Sequence, residues 1–162
     1  MQPRSTRLVV PTLWSRLLDD EPHRAEEAPG GCWCSLEEYK ASVVADLERL
    51  VNTRRELLAE HLDGFPNVQG SVLEYGLPDF LGRGLNSSDD RQYIQRQLAF
   101  AIESNDCRFR NVEVQLREQD SRERLLCFRV DALLVLVDSH HQVSCEAVLQ
   151  AETQRYKVRN LN

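Results

Sequence analysis

The chain has 162 residues, 28% of them charged, and a net charge of −6. That length suits one domain with a peripheral extension and is too short for two full cores. The acidic balance, with no basic patch along the linear sequence, argues against a nucleic-acid binder.

Residues 1–31 read as an N-terminal extension. Leu13, Trp14, Leu17 and Leu18 share one helical face, but a turn or two is too short to be stable in isolation. Such a helix either folds back on the domain or docks on a partner. An acidic and glycine-rich stretch through Pro29, Gly30 and Gly31 then leads into a single domain over 32–162. Ser35 and Glu38 have the spacing of a capping box, and Leu36, Tyr39, Val43, Leu47 and Leu50 continue as an apolar helical stripe. The helix either continues through Leu58 or breaks near Asn52, and Gly64 and Pro66 stop it.

Ser71-Val72-Leu73-Glu74-Tyr75-Gly76-Leu77-Pro78-Asp79-Phe80 is the joint of the domain. Gly76 accepts a positive φ, and Pro78 keeps Leu77 out of the helical region, so a defined backbone path is expected. Val72, Tyr75, Leu77 and Phe80 are expected to pin that path to the core.

Beyond it, Ser87 or Ser88 caps a helix with Asp89 and Asp90 in its first turn and Ile94, Leu98, Ala101 and Ile102 as its stripe. From Asn111 the period becomes alternating. Val112, Val114 and Leu116 define one strand, Leu126 to Leu136 a second and Val143 to Ala151 a third, followed by a polar tail from Tyr156 to Asn162. The expected class is α+β: N-terminal helices and a central helix packed on a three-stranded antiparallel β-meander.

The longest strongly apolar run, Ala132 to Val137, is too short to cross a bilayer as a helix, and Leu8-Val9-Val10 is too short for a signal-peptide core. No direct membrane insertion is expected. The five cysteines are odd in number and lack CxxC spacing, so reduced, cytoplasmic thiols are the simplest reading, with no metal site or other cofactor. His140 and His141 stand without further ligands at set spacing and read as the wet tip of a hairpin. A hydrolase would need two carboxylates with separated roles, for which Glu74, Asp79, Glu103 and Asp106 are the candidates. No second motif supports acid/base work, so the expectation is a protein that is not an enzyme.

The order of motifs resembles the baseplate-wedge family of bacterial type VI secretion systems, TssE, and the related wedge protein of contractile phage tails. The resemblance is carried by Leu17-Leu18, Asn52-Thr53-Arg54-Arg55, the phrase from Ser71 to Phe80 and Arg108-Phe109-Arg110-Asn111-Val112. Its specific part is Tyr75-Gly76-Leu77-Pro78-Asp79-Phe80. Where the family commonly has Glu-Pro-Arg, this chain has Asp106-Cys107-Arg108.

The resemblance implies a non-catalytic scaffold held in a wedge with TssF and TssG, meeting the TssB/TssC contractile sheath and helping to start its assembly. TssK is a further candidate neighbour, and the implied location is the cytoplasmic baseplate near the inner membrane. Partner-binding or structural roles are implied for Arg54, Arg55, the Tyr75–Phe80 phrase, Asp106 and Arg108. A peptidoglycan-acting, lysozyme-like hydrolase is the alternative.

Overall fold

The computed structural model describes residues 8–17, 22–23, 33–55, 64–68, 70–78, 87–118, 126–137, 139–150, 153 and 155–161. Two compact units divide within one helix, Met1–Asp46 and Leu47–Asn162.

In the first unit, β1 (Leu8–Val9) pairs antiparallel with β2 (Cys34–Ser35), Leu8 opposite Ser35 and Val9 opposite Cys34. The Cys34 thiol donates to the Val9 carbonyl at 3.4 Å. Between them α1 (Leu13–Leu17) starts at Thr12, whose hydroxyl accepts from the Ser15 N–H at 3.2 Å. α2 (Leu36–Val51) begins with the expected capping box. The Glu38 N–H donates to Ser35 Oγ at 3.2 Å, and the Ser35 N–H donates to Glu38 Oε2 at 2.7 Å. The Ser35 N–H, helped by the Ser35 side chain, holds the Glu38 carboxyl below its ordinary range. Tyr39, Val43, Leu47 and Leu50 are buried at the expected spacing, and the helix ends at Val51.

The second unit is organised by an antiparallel sheet of β3 (Phe109–Glu118), β4 (Leu126–Val135), β5 (His140–Gln150) and β6 (Arg155–Asn160), in that order. α3 (Ser88–Asn105) packs against β3 and buries Ile94, Leu98, Ala101 and Ile102. Its N-cap is Ser87, whose hydroxyl accepts from the Asp89 N–H at 3.2 Å. Phe128, Val130, Ala132 and Leu134 of β4 alternate into the core beside Val143, Cys145 and Ala147 of β5. Ala147 lies between Phe128 and Val158 in the register. The Phe128 and Tyr156 rings meet at 5.3 Å, tilted by 59°. Burial beside that ring pushes the Tyr156 hydroxyl up to about 12.

The expected three-stranded meander with several N-terminal helices is therefore incorrect. Among the described residues the main sheet has four strands, and the chain before α2 contributes a two-stranded sheet as well as the short α1. The stretch read as a polar tail is β6, in which Tyr156 and Val158 alternate with Arg155, Lys157 and Arg159. Charged residues on the solvent side are how sheet edges ordinarily resist further pairing, and here they masked the strand.

Candidate assembly site

The end of α2 and the joint meet in a parallel bridge. Leu77 donates its N–H to the Thr53 carbonyl at 2.8 Å and accepts from the Arg55 N–H at 2.8 Å, with Arg54 opposite Leu77. Gly76 is buried with φ at 109°. A Cβ there would lie 2.6 Å from the Thr53 carbonyl oxygen and 3.0 Å from its carbon. The two segments thus approach more closely than any side chain permits, and only glycine fits. Leu77 is 5% exposed and anchors the connection. Val72 at 84% and Tyr75 at 36% do not, which overturns the expectation that they pin the joint to the core. Ser71 caps a 3₁₀ turn over Val72–Glu74, which turns those side chains outward.

The end of α2 also fastens β6. Asn52 donates through Nδ2 to the Tyr156 carbonyl at 2.8 Å and accepts at Oδ1 from the Tyr156 N–H at 2.8 Å. Glu48 accepts from the Val158 N–H at 3.0 Å and from Lys157 Nζ at 3.0 Å. Burial works against the charged form of Glu48, but the Val158 amide and the Lys157 ammonium outweigh it and hold the carboxyl below its ordinary range. Sequence reasoning assigned Glu48 no role. Its position on the polar side of an amphipathic helix gave no sign of a partner in the last strand.

The corner after α3 is built from carboxylates. Asp106 Oδ1 accepts from the Arg108 N–H at 3.0 Å and from Arg108 Nε at 2.9 Å, while Oδ2 accepts from Nη2 at 2.6 Å. The guanidinium fork is thus matched to a carboxylate two residues away. Just beyond it, β3 carries an extra residue between Arg110 and Glu113, with Asn111 at a φ of 52°. Glu103 Oε1 accepts from the Val112 N–H at 2.8 Å, satisfying an amide at the bulge.

On the sheet, Arg129 grips Asp131 through Nε and Nη2, and the Ser144 hydroxyl donates to the same carboxylate. The Arg129 pairing, helped by Ser144, keeps the Asp131 carboxyl below its ordinary range.

The structure therefore brings Arg54 and Arg55 against Gly76 and Leu77, and Asp106 against Arg108, as two separate clusters. Pro78 follows the bridge half-buried. Leu13, Trp14 and Leu17 lie on α1 and are exposed, Trp14 by 54%. Asp79, Phe80 and Leu18 lie outside the described residues. Of the hydrolase candidates, Glu103 and Asp106 are engaged at the corner and Glu74 accepts from the Gly70 N–H, while Asp79 is again outside the described residues. His141 Nε2 is hydrogen-bonded to the Ser139 hydroxyl at 3.0 Å. No group of three or more His, Cys, Asp or Glu side chains among the described residues is arranged to hold a metal ion. No helix among them is long and apolar enough to cross a membrane.

These features define an α+β protein whose placed polar groups tie backbone segments to one another. The chain belongs to the family of baseplate wedge protein gp25, whose sequence model matches residues 37–138. The expectation of a baseplate wedge subunit is met at the level of the family, and the role is a structural one within a baseplate. The chain is also similar to one in a solved structure of the baseplate complex from the type VI secretion system. That similarity has a TM-score of 0.47 at 17% identity and covers 71% of this chain and 97% of the other. Comparison with curated protein sequences gives no match.

Proposed function

We propose that this chain is the TssE-like wedge subunit of a type VI secretion baseplate. In this reading it is held with TssF and TssG, helps start assembly of the TssB/TssC sheath, and has TssK as a further neighbour in the cytoplasm near the inner membrane. The observation that carries the proposal is the bridge at Leu77. It joins Asn52-Thr53-Arg54-Arg55 to Tyr75-Gly76-Leu77-Pro78, the two motifs most characteristic of the resemblance, with a clearance at Gly76 that accounts for the glycine.

The joint and the Asp106–Arg108 corner are the contact regions in this proposal, and α1 presents Leu13, Trp14 and Leu17 as a docking face. The subunit is non-catalytic, because Glu74, Glu103 and Asp106 are committed to backbone amides or to Arg108. Co-expression with TssF and TssG of the same system tests the assignment: a complex surviving size-exclusion chromatography is expected. Failure to co-purify, together with dose-dependent peptidoglycan cleavage that Glu103→Gln or Asp106→Asn abolishes, would replace it with the hydrolase alternative.

A further inference from the structure

Among the described residues, Arg55 Nε is a buried side-chain nitrogen that finds no hydrogen-bond partner. A guanidinium N–H shielded from water and left unpaired is costly, and native structures rarely keep one without a use. The backbone of the same residue is tied at its N–H, which donates to the Leu77 carbonyl at 2.8 Å. Arg55 as a whole is half-buried.

We propose that Arg55 is a docking residue that receives the carboxylate of an aspartate or glutamate from a protein partner. The Nε and Nη edge of a guanidinium matches a carboxylate in a two-bond fork, and a change of side-chain rotamer on docking brings that edge to the partner. Charge favours the same occupant. Arg55 stands beside the bridge at Leu77, and the nearby carboxylate of Glu48 is already taken by Lys157 and Val158. A single unpaired guanidinium in a chain of net charge −6 suits a short acidic segment better than an extended polyanion, which the rest of the surface would repel. Exposed Leu73 and Tyr75 on the adjoining joint provide apolar contact around such a pair.

The partner chemistry rests on the wedge reading, so the test separates the two. Arg55→Met and Arg55→Lys are made in the full chain and measured for thermal stability alone and for affinity to a TssF–TssG complex. Methionine removes the unpaired charge at similar bulk, so the midpoint is expected to stay level or rise while affinity falls about tenfold or more. Lysine keeps the charge but not the fork and is expected to lose most of that affinity. Unchanged affinity with methionine overturns the inference, as does a fall of its midpoint by several degrees, which would reveal a structural pairing.

If the wild-type chain binds no TssF–TssG, the wedge reading fails and the isolated chain decides the matter. Its Arg55 Nε–H resonance is expected to shift on titration with acetate and not with equal chloride. No shift with acetate overturns the inference on its own.

Discussion

The joint and the corner after α3 both carry residues of the family resemblance, yet they are held by opposite means. At the joint the backbone does the fastening: Thr53, Arg55 and Leu77 exchange main-chain hydrogen bonds, and Gly76 contributes by lacking a side chain. At the corner the backbone is irregular, and the carboxylates of Asp106 and Glu103 supply its missing partners. A backbone joint tolerates variation of exposed side chains but no added atom at its closest approach. A carboxylate corner tolerates added bulk and fails when an acceptor is lost.

The largest expected effect follows from adding one methyl group to the joint. Gly76→Ala places a carbon against the Thr53 carbonyl at a φ that alanine resists, and is expected to cost about 3 kcal/mol or more, seen as a lowered midpoint in urea. A neutral result would show that the joint yields and would remove the contrast. At the corner, Asp106→Ala removes both carboxylate oxygens that accept from Arg108, and a loss of about 1 to 3 kcal/mol is expected by the same measurement.

Assembly sharpens the comparison further. Lysine cannot reproduce the two-nitrogen grip on Asp106, so Arg108→Lys is expected to impair wedge or sheath assembly nearly as much as Arg108→Ala, at equal folding. Wild-type assembly with lysine would reject the fork geometry, and with alanine any role in assembly.

Glu48 gives a smaller, pH-dependent effect. Its folded carboxyl is held below the ordinary 4.5, so its contribution is complete above that value and is lost as pH falls through the depressed one. Thermal midpoints of the wild type are therefore expected to fall more steeply than those of Glu48→Gln between about pH 5 and pH 3. Parallel curves would show that the carboxylate's ionisation contributes nothing. Smallest of all, Val72→Ser at an 84% exposed position is expected to change stability by less than about 0.5 kcal/mol.

The contrast also explains which parts of the molecule were legible. Ser35, Glu38 and Ser87 act within three residues of their own amides, and stripes such as Ile94, Leu98 and Ile102 repeat within one helix, so local spacing is enough. The positive φ of Gly76 was readable beside Pro78, but its clearance was not, because the atom it avoids belongs to Thr53. Val72 and Tyr75 misled for a related reason: apolar composition suggests burial, whereas the connector is defined by main-chain bonds and a Ser71 cap. β6 was passed over because just two apolar positions, Tyr156 and Val158, alternate with charge, although that alternation was itself a signal.

The Asn52 and Glu48 contacts have a consequence for solubility. Among the described residues β6 is the last strand of its sheet, and an end strand with open amides invites the same strand of another molecule to add to it. Asn52 occupies both main-chain groups of Tyr156 and Glu48 occupies the Val158 N–H, so one side chain of α2 and one from the residue just after it stand where the hydrogen bonds of an intruding strand would form. The end of α2 thereby protects the protein from indiscriminate self-association while it awaits incorporation into a larger assembly.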